Sequence, residues 1–331
     1  MDNNAILVIG DVSFDVFLIP NPLDTFCRKM RDDNYICFTY GDKIPVDSLS
    51  YYPGGCAANV AIGTKRLGIN SSLLTTFGKD SLSRLVQKHL EDESVDTSLS
   101  STDTKAVCNY ATIISYNQER TIFSYHAPRT YTFPKTIHDF PFIYLTSMGE
   151  GFESFYRSTI NWVKEHPLTQ LCFNPGSVQL HCDKSIIQNL FSVTTYVFLN
   201  RNEAEYYTGV NNSQGKEKDL VHTLRSYGVK TIIMTDGDQG SYVCHESVLY
   251  KASCFPTTVV EKTGAGDAYN SGFLAAIMKG FSISDAMLLC TANAASVIQK
   301  VGAQENLLQE KDIDSIVQKA RQDVVIERIP L

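Results

Sequence analysis

Hydrophobic residues along this chain alternate between short continuous runs and longer amphipathic stretches. Continuous runs are typical of strands buried on both faces of a parallel sheet. They cover residues 5–10 (AILVIG), 142–147 (FIYLTS), 170–175 (QLCFNP), 195–200 (TYVFLN) and 230–237 (KTIIMTDG). Stretches with a helical period lie between them, at residues 56–68, 80–93, 217–228 and 267–280. Apolar strands that alternate with amphipathic helices predict an α/β fold with a mostly parallel sheet.

Two regions interrupt this rhythm. Residues 16–52 mix aromatic and polar side chains without a helical period, and residues 105–126 carry β-branched residues around a polar NQER turn, which predicts a hairpin. We expect the two insertions to pair as a small β-sheet, a lid over a core formed by residues 1–15, 53–104 and 127–331. The alternative is a decoration without a role at the site. The exposed edges of such a sheet predict a homodimer through the lid.

Composition narrows the class of protein. With 331 residues, 43% hydrophobic and 20% charged, the chain is expected to be a soluble globular protein. Its net charge of -7 excludes a broad basic face for nucleic acid or anionic membranes. An acidic, polar start and the lack of any apolar run of ~18 residues predict neither a secretory signal nor a membrane span. Nine scattered cysteines without a C-x-x-C pair favour a cytoplasmic protein with reduced thiols.

Polar residues follow several of the predicted strands. Ligands of open parallel sheets bind beyond the carboxyl ends of the strands. Singly, each of these residues is also a good helix cap or turn former, but their repetition favours a ligand site. The candidates are Asp11, Asp15, Asn174, Asn202, Glu205, Thr235, Asp236 and Gly237.

The segment TGAGD is the sharpest candidate for chemistry. Gly264 and Gly266 directly precede Asp267 at the start of a predicted helix. Glycines let backbone N–H groups converge on an anion, and a helix N-terminus adds partial positive charge. A carboxylate would repel a resting phosphate, but it can accept a proton from a hydroxyl that attacks a phosphate in transfer. The alternative is a helix cap without chemistry.

A second pair of glycines, Gly54 and Gly55, precedes a helix whose first turns carry Asn59. This arrangement would let a small polar ligand approach the backbone while the amide binds its hydroxyls, although a tight loop with a capping amide fits the pattern as well. No G-x-x-x-x-G-K-[ST] is present, which excludes a P-loop enzyme. No G-x-G-x-x-G follows the first strand, which disfavours dinucleotide binding.

Two of these segments resemble a known family. GGCAANVAIGTKRLG (54–68) and KTGAGDAYNSGFLAA (262–276) resemble the two signature regions of the ribokinase (PfkB) family of carbohydrate and nucleoside kinases. NPGS (174–177), LNRNEAEYYTG (199–209), MTDGDQGSY (234–242) and VGAQ (301–304) resemble its other segments. The resemblance covers almost the whole chain. It implies a doubly wound, mostly parallel sheet flanked by helices, with a small β lid, and ATP and Mg²⁺ as cofactors.

The resemblance also implies roles for particular residues. Asp267 matches the catalytic base. The anion hole over the transferred phosphate matches Gly264, Ala265 and Gly266. The N-x-x-E motif, which organises Mg²⁺ and phosphates mostly through water, is assigned to Asn202 and Glu205. Residues matching the nucleotide site are Thr235, Gly237, Gly240 and Asn293, together with Asn202. Residues matching the acceptor site are Asp15, Gly54, Gly55 and Asn59.

Some positions depart from the family pattern. Glu261 occupies the position where many members carry the aspartate of a monovalent-cation site, and Lys262 follows where threonine is common, so K⁺ is left open. Cys56 occupies the position of a lysine found in some ribose-specific members, so ribose is not implied as the substrate.

The expected function is ATP-dependent phosphoryl transfer to a hydroxyl, primary by preference, of a small sugar. One alternative is a nucleoside kinase, in which aromatic residues of the first insertion stack on the base (Phe26, Tyr35, Phe38 and Tyr40). The other is a catalytically silent sensor that binds sugar or nucleotide.

Overall fold

The computed structural model describes residues 4–21, 27–29, 36–116 and 119–331, and of residues 27–29 it describes the backbone only. The strands of this part of the chain are β1 (Ala5–Ile9), β2 (Ser13–Pro20), β3 (Cys27–Lys29), β4 (Ile36–Phe38), β5 (Val46–Gly54), β6 (Asn70–Leu74), β7 (Thr76–Phe77), β8 (Ser101–Thr102), β9 (Asn109–Tyr116), β10 (Glu119–Tyr125), β11 (Phe142–Leu145), β12 (Gln170–Phe173), β13 (Tyr196–Asn200), β14 (Thr231–Thr235), β15 (Ser241–His245), β16 (Val248–Ala252) and β17 (Ile326–Pro330).

The α-helices of the described residues alternate with these strands. They are α1 (Cys56–Arg66), α2 (Ser81–Asp92), α3 (Glu153–Glu165), α4 (Ser177–Leu180), α5 (Lys184–Phe191), α6 (Arg201–Thr208), α7 (Glu217–Ser226), α8 (Ala265–Met278), α9 (Ile283–Val297) and α10 (Ile313–Asp323). All five predicted strands and all four predicted helices are present, with ends that differ from the prediction by a few residues.

The large sheet has the strand order β17-β16-β15-β14-β13-β12-β11-β1-β6. Strands β14, β13, β12, β11, β1 and β6 run parallel to their neighbours. Strands β15, β16 and β17 extend one edge in antiparallel fashion. The prediction of a mostly parallel sheet is confirmed, and the antiparallel edge is an addition that the runs of apolar residues did not indicate.

Hydrophobic layers cover both faces of the large sheet. Alternate residues of β1 point to opposite faces, so Ile6 and Val8 enter one buried cluster, while Leu7 and Ile9 enter the other. The first cluster contains the apolar faces of α1, α8 and α9, and the second contains those of α3, α5 and α7. A strand buried on both faces needs apolar residues at every position, which explains the continuous runs in the sequence.

The smaller sheet has the order β10-β9-β2-β5, and it joins the two insertions. The predicted hairpin is confirmed by the antiparallel pairing of β9 with β10, and β2 lies parallel to β9. Strand β2 already begins at Ser13 and β5 runs on to Gly54. Asp15 and Gly54 therefore belong to the smaller sheet and not to the core segments in which the predicted boundaries placed them.

Helices α1 and α8 pack side by side beneath the junction of the two sheets. Nearly all of α8 from Ala268 to Ala276 is buried, and so are Ala57 to Thr64 of α1. This packing sets the N-termini of the two helices next to one another. In the described ranges, no helix is long and apolar enough to cross a membrane.

Candidate active site

The polar residues that end the parallel strands share one edge of the large sheet. Strands β14, β13, β12, β11 and β1 are consecutive neighbours and run in the same direction. Their carboxyl ends are followed by Asp11 after β1, Asn174 after β12 and Asp236 after β14. This is the row of polar side chains that the sequence predicted, and the smaller sheet begins directly after the same edge.

Asp267 lies in the first turn of α8, beside a glycine with a left-handed backbone. Gly264 is the N-cap of this helix, with φ 83° and ψ -4°. A Cβ at Gly264 would lie 2.6 Å from the Cα of Ala303, whereas a Cβ at Gly266 would meet no atom within 4 Å. The first N–H groups of a helix have no partner within the helix. The turn therefore leaves open space in front of backbone donors, as anion binding requires.

The carboxylate of Asp267 is bound by the helix opposite. Asn59 Nδ2 of α1 donates a hydrogen bond of 2.8 Å to Asp267 Oδ2. Burial raises the pKa of Asp267 from its ordinary value to about 6, and the charge of Asp15 raises it further, while hydrogen bonds from Asn59 and Cys56 oppose the shift. The thiol of Cys56 has its own pKa raised, first by the charge of Asp267 and then by burial. Cys56 is therefore a neutral hydrogen-bond donor at neutral pH.

Asp15 provides a second carboxylate close to Asp267. It is 7% exposed, and Ser13 Oγ donates a hydrogen bond of 2.6 Å to its Oδ1. Burial raises the pKa of Asp15 to about 6, against the effect of the Ser13 hydrogen bond. A Cβ at Gly54 would overlap this carboxylate, so the close approach of β5 requires glycine there. Gly55, with φ 93°, caps α1.

A group of hydrogen-bonded polar side chains lies beneath Asp267, and the sequence did not predict that they belong together. They are Asn270, Tyr144 and Asn174. Asn270 Nδ2, one turn further along α8, donates to Tyr144 Oη at 2.9 Å, and Tyr144 Oη donates to Asn174 Oδ1 at 3.2 Å. The Tyr144 pKa is raised by burial and then by the charge of Asp267, so its hydroxyl keeps its proton. Of these residues, only Asn174 was identified from its position at a strand end.

The N-x-x-E spacing occurs twice in the segment NRNEAE, and the structure distinguishes the two registers. Asn200 and Glu203 form a capping box at the start of α6, each side chain accepting the backbone N–H of the other, at 2.9 and 2.8 Å. Burial raises the pKa of Glu203 to about 7, and the charge of Asp267 adds to this shift.

The predicted pair, Asn202 and Glu205, lies elsewhere on α6. Asn202 is exposed, and Glu205 Oε1 accepts the backbone N–H of Ser213 at 2.8 Å. Residues two apart on a helix point to nearly opposite sides. Asn200 and Glu203 also match the N-x-x-E motif in the sequence. Because this match overlaps that of Asn202 and Glu205, the sequence alone could not show which pair belongs to the site.

The predicted nucleotide residues surround the end of β14. Thr235 is the last residue of that strand, and it pairs with Asn200 at the end of β13. A 3₁₀ turn, Gly237–Gln239, follows and ends at Gly240, which lies directly against Ala252 of β16. The guanidinium of Arg201 forms ion pairs with both Glu217 and Asp236, each at 2.8 Å. These ion pairs hold the start of α6 beside this turn.

Asn293, which the resemblance assigns to the nucleotide site, is held inside the protein. It is fully buried, its Nδ2 donates to the Ala268 carbonyl at 2.8 Å, and its Oδ1 accepts the Leu308 N–H at 2.9 Å. These bonds join α8, α9 and the segment that follows α9. Its contact with a nucleotide stays a prediction.

The loop before Gly264 is held at two points. The Glu261 side chain is 2% exposed and accepts both the N–H and the hydroxyl of Thr263 at 2.8 Å. Lys262 forms an ion pair with Glu119, the first residue of β10 in the smaller sheet. The smaller sheet therefore contacts the loop that leads into Gly264.

Of the aromatic residues considered for base stacking, Phe38 and Tyr40 lie in the described part of the chain. Phe38 is 37% exposed and Tyr40 is fully exposed. Phe26 and Tyr35 lie outside the described residues.

The donor set suits a hydrated magnesium ion better than a protein-enclosed metal. In residues 4–21, 36–116 and 119–331, no three His, Cys, Asp or Glu side chains converge on one point. Mg²⁺ keeps several waters and takes one or two carboxylates plus substrate phosphates. The pKa of Glu203 is raised because its carboxylate is removed from solvent and lies near the negative charge of Asp267. Such a carboxylate is suited to bind a hydrated Mg²⁺ ion through water.

Comparisons with known proteins agree with this architecture. The profile of the pfkB family carbohydrate kinases matches residues 24–310. The nucleoside kinase of Methanocaldococcus jannaschii is 27% identical over 268 residues, 80% of this chain and 85% of that protein. The ATP-dependent 6-phosphofructokinase of Thermoanaerobacterium thermosaccharolyticum is 24% identical over 326 residues, 95% of this chain and 96% of that protein.

The fold is shared with solved structures of the same family. The ribokinase of Arabidopsis thaliana, complexed with ribose and ATP, superimposes with a TM-score of 0.77 at 18% identity and covers 95% of this chain and 98% of its own. The architecture is thus a ribokinase-like α/β fold with a separate smaller sheet. Because the family profile covers most of its length, this chain belongs to the pfkB family of carbohydrate kinases.

Proposed function

We propose that this protein transfers the γ-phosphoryl group of ATP to a hydroxyl, primary by preference, of a small sugar. The observation that carries this proposal is the position of Asp267, a half-buried carboxylate with a pKa near 6, beside open space at the N-terminus of α8. A base with this pKa is ionised at neutral pH and can take the proton of an attacking hydroxyl.

In the proposed reaction, the acceptor lies between Asp15, Asn59 and Asp267. The Asp15 carboxylate accepts hydrogen bonds from its hydroxyls, and Asp267 takes the proton from the hydroxyl that attacks phosphorus. Backbone N–H groups of Gly264 to Gly266 stabilise the charge on the transferred phosphoryl group. When bound, Mg²⁺ neutralises charge on the phosphates, and Glu203 would hold it through water.

The nucleotide is proposed to lie along the ends of β13 and β14, beside Thr235 and the turn from Gly237 to Gly240. The ion pairs of Arg201 support this proposal, because they hold α6 and the turn in one arrangement. Asn200 and Glu203 are proposed in place of Asn202 and Glu205 as the residues that face the phosphates. The smaller sheet is proposed to act as a lid, supported by the ion pair between Glu119 and Lys262.

A nucleoside is the second candidate acceptor. It is favoured by the similarity to the nucleoside kinase of M. jannaschii, and not by any aromatic stack at the described site residues.

The test is ADP release from MgATP against a panel of pentoses, hexoses, sugar acids and nucleosides, each with and without K⁺. We expect turnover on a sugar, with an acidic limb of the kcat/KM profile near pH 6. Asp267→Asn should lower kcat by about 10²–10⁴-fold. Turnover on nucleosides alone would select the second candidate. Unchanged turnover by Asp267→Asn would remove Asp267 as the base.

A further inference from the structure

Asn59 is itself held by a buried side chain from the C-terminal part of the chain. Gln304 Nε2 donates a hydrogen bond of 2.7 Å to Asn59 Oδ1. On its other side, Gln304 Oε1 lies 2.7 Å from Nε2 of His89 on α2. Both amide side chains are 5% exposed. A continuous chain of hydrogen bonds thus runs from His89 through Gln304 and Asn59 to Asp267.

The direction of this chain is determined at both ends. Gln304 Nε2 also donates to the main-chain carbonyl of Pro53 at 3.2 Å, and a carbonyl oxygen can only accept, so the amide nitrogen of Gln304 must lie on that side. Its oxygen then faces His89, whose Nε2 must carry a hydrogen. The Asp267 carboxylate can only accept as well, which orients Asn59 with its nitrogen toward the base.

We propose that Gln304, itself oriented by His89, is a positioning residue that keeps the Asn59 amide donating to the catalytic base. Without the Gln304 donor, only the Asp267 carboxylate still orients the Asn59 amide, so the amide is held less firmly and its hydrogen bond to Asp267 is weaker. Successive donors that point the same way also polarise one another, which strengthens the final bond to Asp267. This role rests on the proposed function of Asp267.

The surroundings suit a positioning role. The main-chain carbonyl of Gln304 accepts from the Arg66 guanidinium, which is paired with Glu93, so the backbone at Gln304 is held independently of its side chain. The titratable groups that face Asp267 are Asp15 on β2, Cys56 on α1, Tyr144 on β11 and Glu203 on α6. None of them belongs to the chain from His89 to Asn59, so a change at Gln304 leaves them in place.

The experiment is a ¹³C-carboxyl NMR titration of the ligand-free protein, with the Asp267 signal assigned by its loss in Asp267→Asn. In Gln304→Leu, we expect the pKa of Asp267 to rise by about one unit, because a hydrogen bond to the charged form is lost. The acidic limb of kcat/KM should move up with it, giving a loss of about fivefold at pH 6 that nearly vanishes at pH 8. Gln318→Leu, the same change on the exposed face of α10, should behave as wild type.

A second pair of variants keeps the test decisive if Gln304→Leu does not fold. His89→Leu should shift the pKa of Asp267 in the same direction as Gln304→Leu does. His89→Gln retains an N–H donor, so the pKa of Asp267 in that variant should return to the wild-type value. The double variant, His89→Leu with Gln304→Leu, should show no larger shift than Gln304→Leu alone. A folded Gln304→Leu or His89→Leu with an unchanged Asp267 titration and an unchanged acidic limb would overturn the proposal. Because the NMR titration needs no substrate, a shift of the pKa in a protein without kinase activity would refute the proposed function, but it would still show that Gln304 orients the Asn59 amide toward Asp267.

Discussion

Asn59 Nδ2 and Asp267 Oδ2 lie 2.8 Å apart, although 208 positions separate the two residues along the chain. The bond joins the N-termini of α1 and α8, the two helices that follow the glycine pair and the TGAGD segment. One hydrogen bond therefore connects the side of the site proposed to hold the acceptor with the side proposed to hold the phosphate.

Asp267→Asn should stabilise the ligand-free protein at alkaline pH. The pKa of Asp267 is raised to about 6, so the folded state binds this proton more tightly than the unfolded state does. That stability is complete below about pH 4 and is lost as the pH rises through 6. An amide cannot ionise, so the melting temperature of Asp267→Asn should exceed that of the wild type at pH 8 by several degrees, and the difference should vanish at pH 4.

Thermal denaturation followed by circular dichroism at the two pH values measures this difference. Asp42→Asn, at an exposed carboxylate, is the matched control and should leave the melting temperature within a degree of wild type. A lower melting temperature for Asp267→Asn at pH 8 would show that the folded state does not destabilise this carboxylate.

Glu203→Gln and Glu205→Gln should differ although the residues are two apart. Glu203 is coupled to the charge of Asp267, whereas Glu205 accepts the Ser213 N–H away from it. We expect Glu203→Gln to lower kcat by about 10–100-fold and to raise the Mg²⁺ concentration for half-maximal rate, while Glu205→Gln stays within threefold of wild type. Steady-state rates across a magnesium titration measure both effects. The reverse ranking would restore the register of Asn202 and Glu205.

Alanine should act differently at Gly264 and Gly266, the two glycines of the TGAGD turn. Gly264→Ala combines a left-handed φ of 83° with a contact of 2.6 Å to Ala303, so it should destabilise the fold by about 1–3 kcal/mol as well as slow the reaction. Gly266→Ala meets no atom within 4 Å, so its melting temperature should be unchanged or slightly higher.

In the second variant, the added methyl group nevertheless enters the space proposed for the phosphoryl group, so kcat should still fall. Thermal melts and kinetics on both proteins separate the two effects. Full activity in Gly266→Ala would mean that the phosphoryl group does not approach this turn.

The smaller sheet should mediate a homodimer. All seven residues of β10 are exposed, among them Phe123 at 61%, and β5 exposes Leu49 and Tyr51. A second copy that covers these side chains would bury an apolar surface and pair a free strand edge. We expect a dimer by light scattering at micromolar concentration and a monomer for Phe123→Glu. Leu168→Glu, 82% exposed in the loop before β12, is the control and should remain dimeric. A monomeric wild type would refute this prediction.

The sequence alone indicated five of the six strands in the parallel part of the sheet, because residues buried on both faces of a sheet must be apolar at every position, as in Ile6 to Ile9. Strand β6 begins with polar residues and was not predicted. The antiparallel edge was not recognisable in the same way. Strand β17 has exposed and half-buried residues, so it carries no continuous apolar run.

The sequence by itself determined the class of fold and the family, and it singled out the TGAGD turn as the candidate for chemistry, since these depend on residue type and on spacing within one segment. It placed Asn59 and Asp267 among the site residues, but it had no means to show that they touch.

Only the tertiary structure decided which of the two overlapping N-x-x-E pairs faces Asp267. It also showed that Asn293 is held inside the protein, and that Gln304 and His89 are joined to Asn59 by hydrogen bonds. Each of these depends on the direction of a side chain and on contacts between segments far apart in the chain. Such contacts are set by the packing of α1, α2 and α8, and neither composition nor periodicity records them.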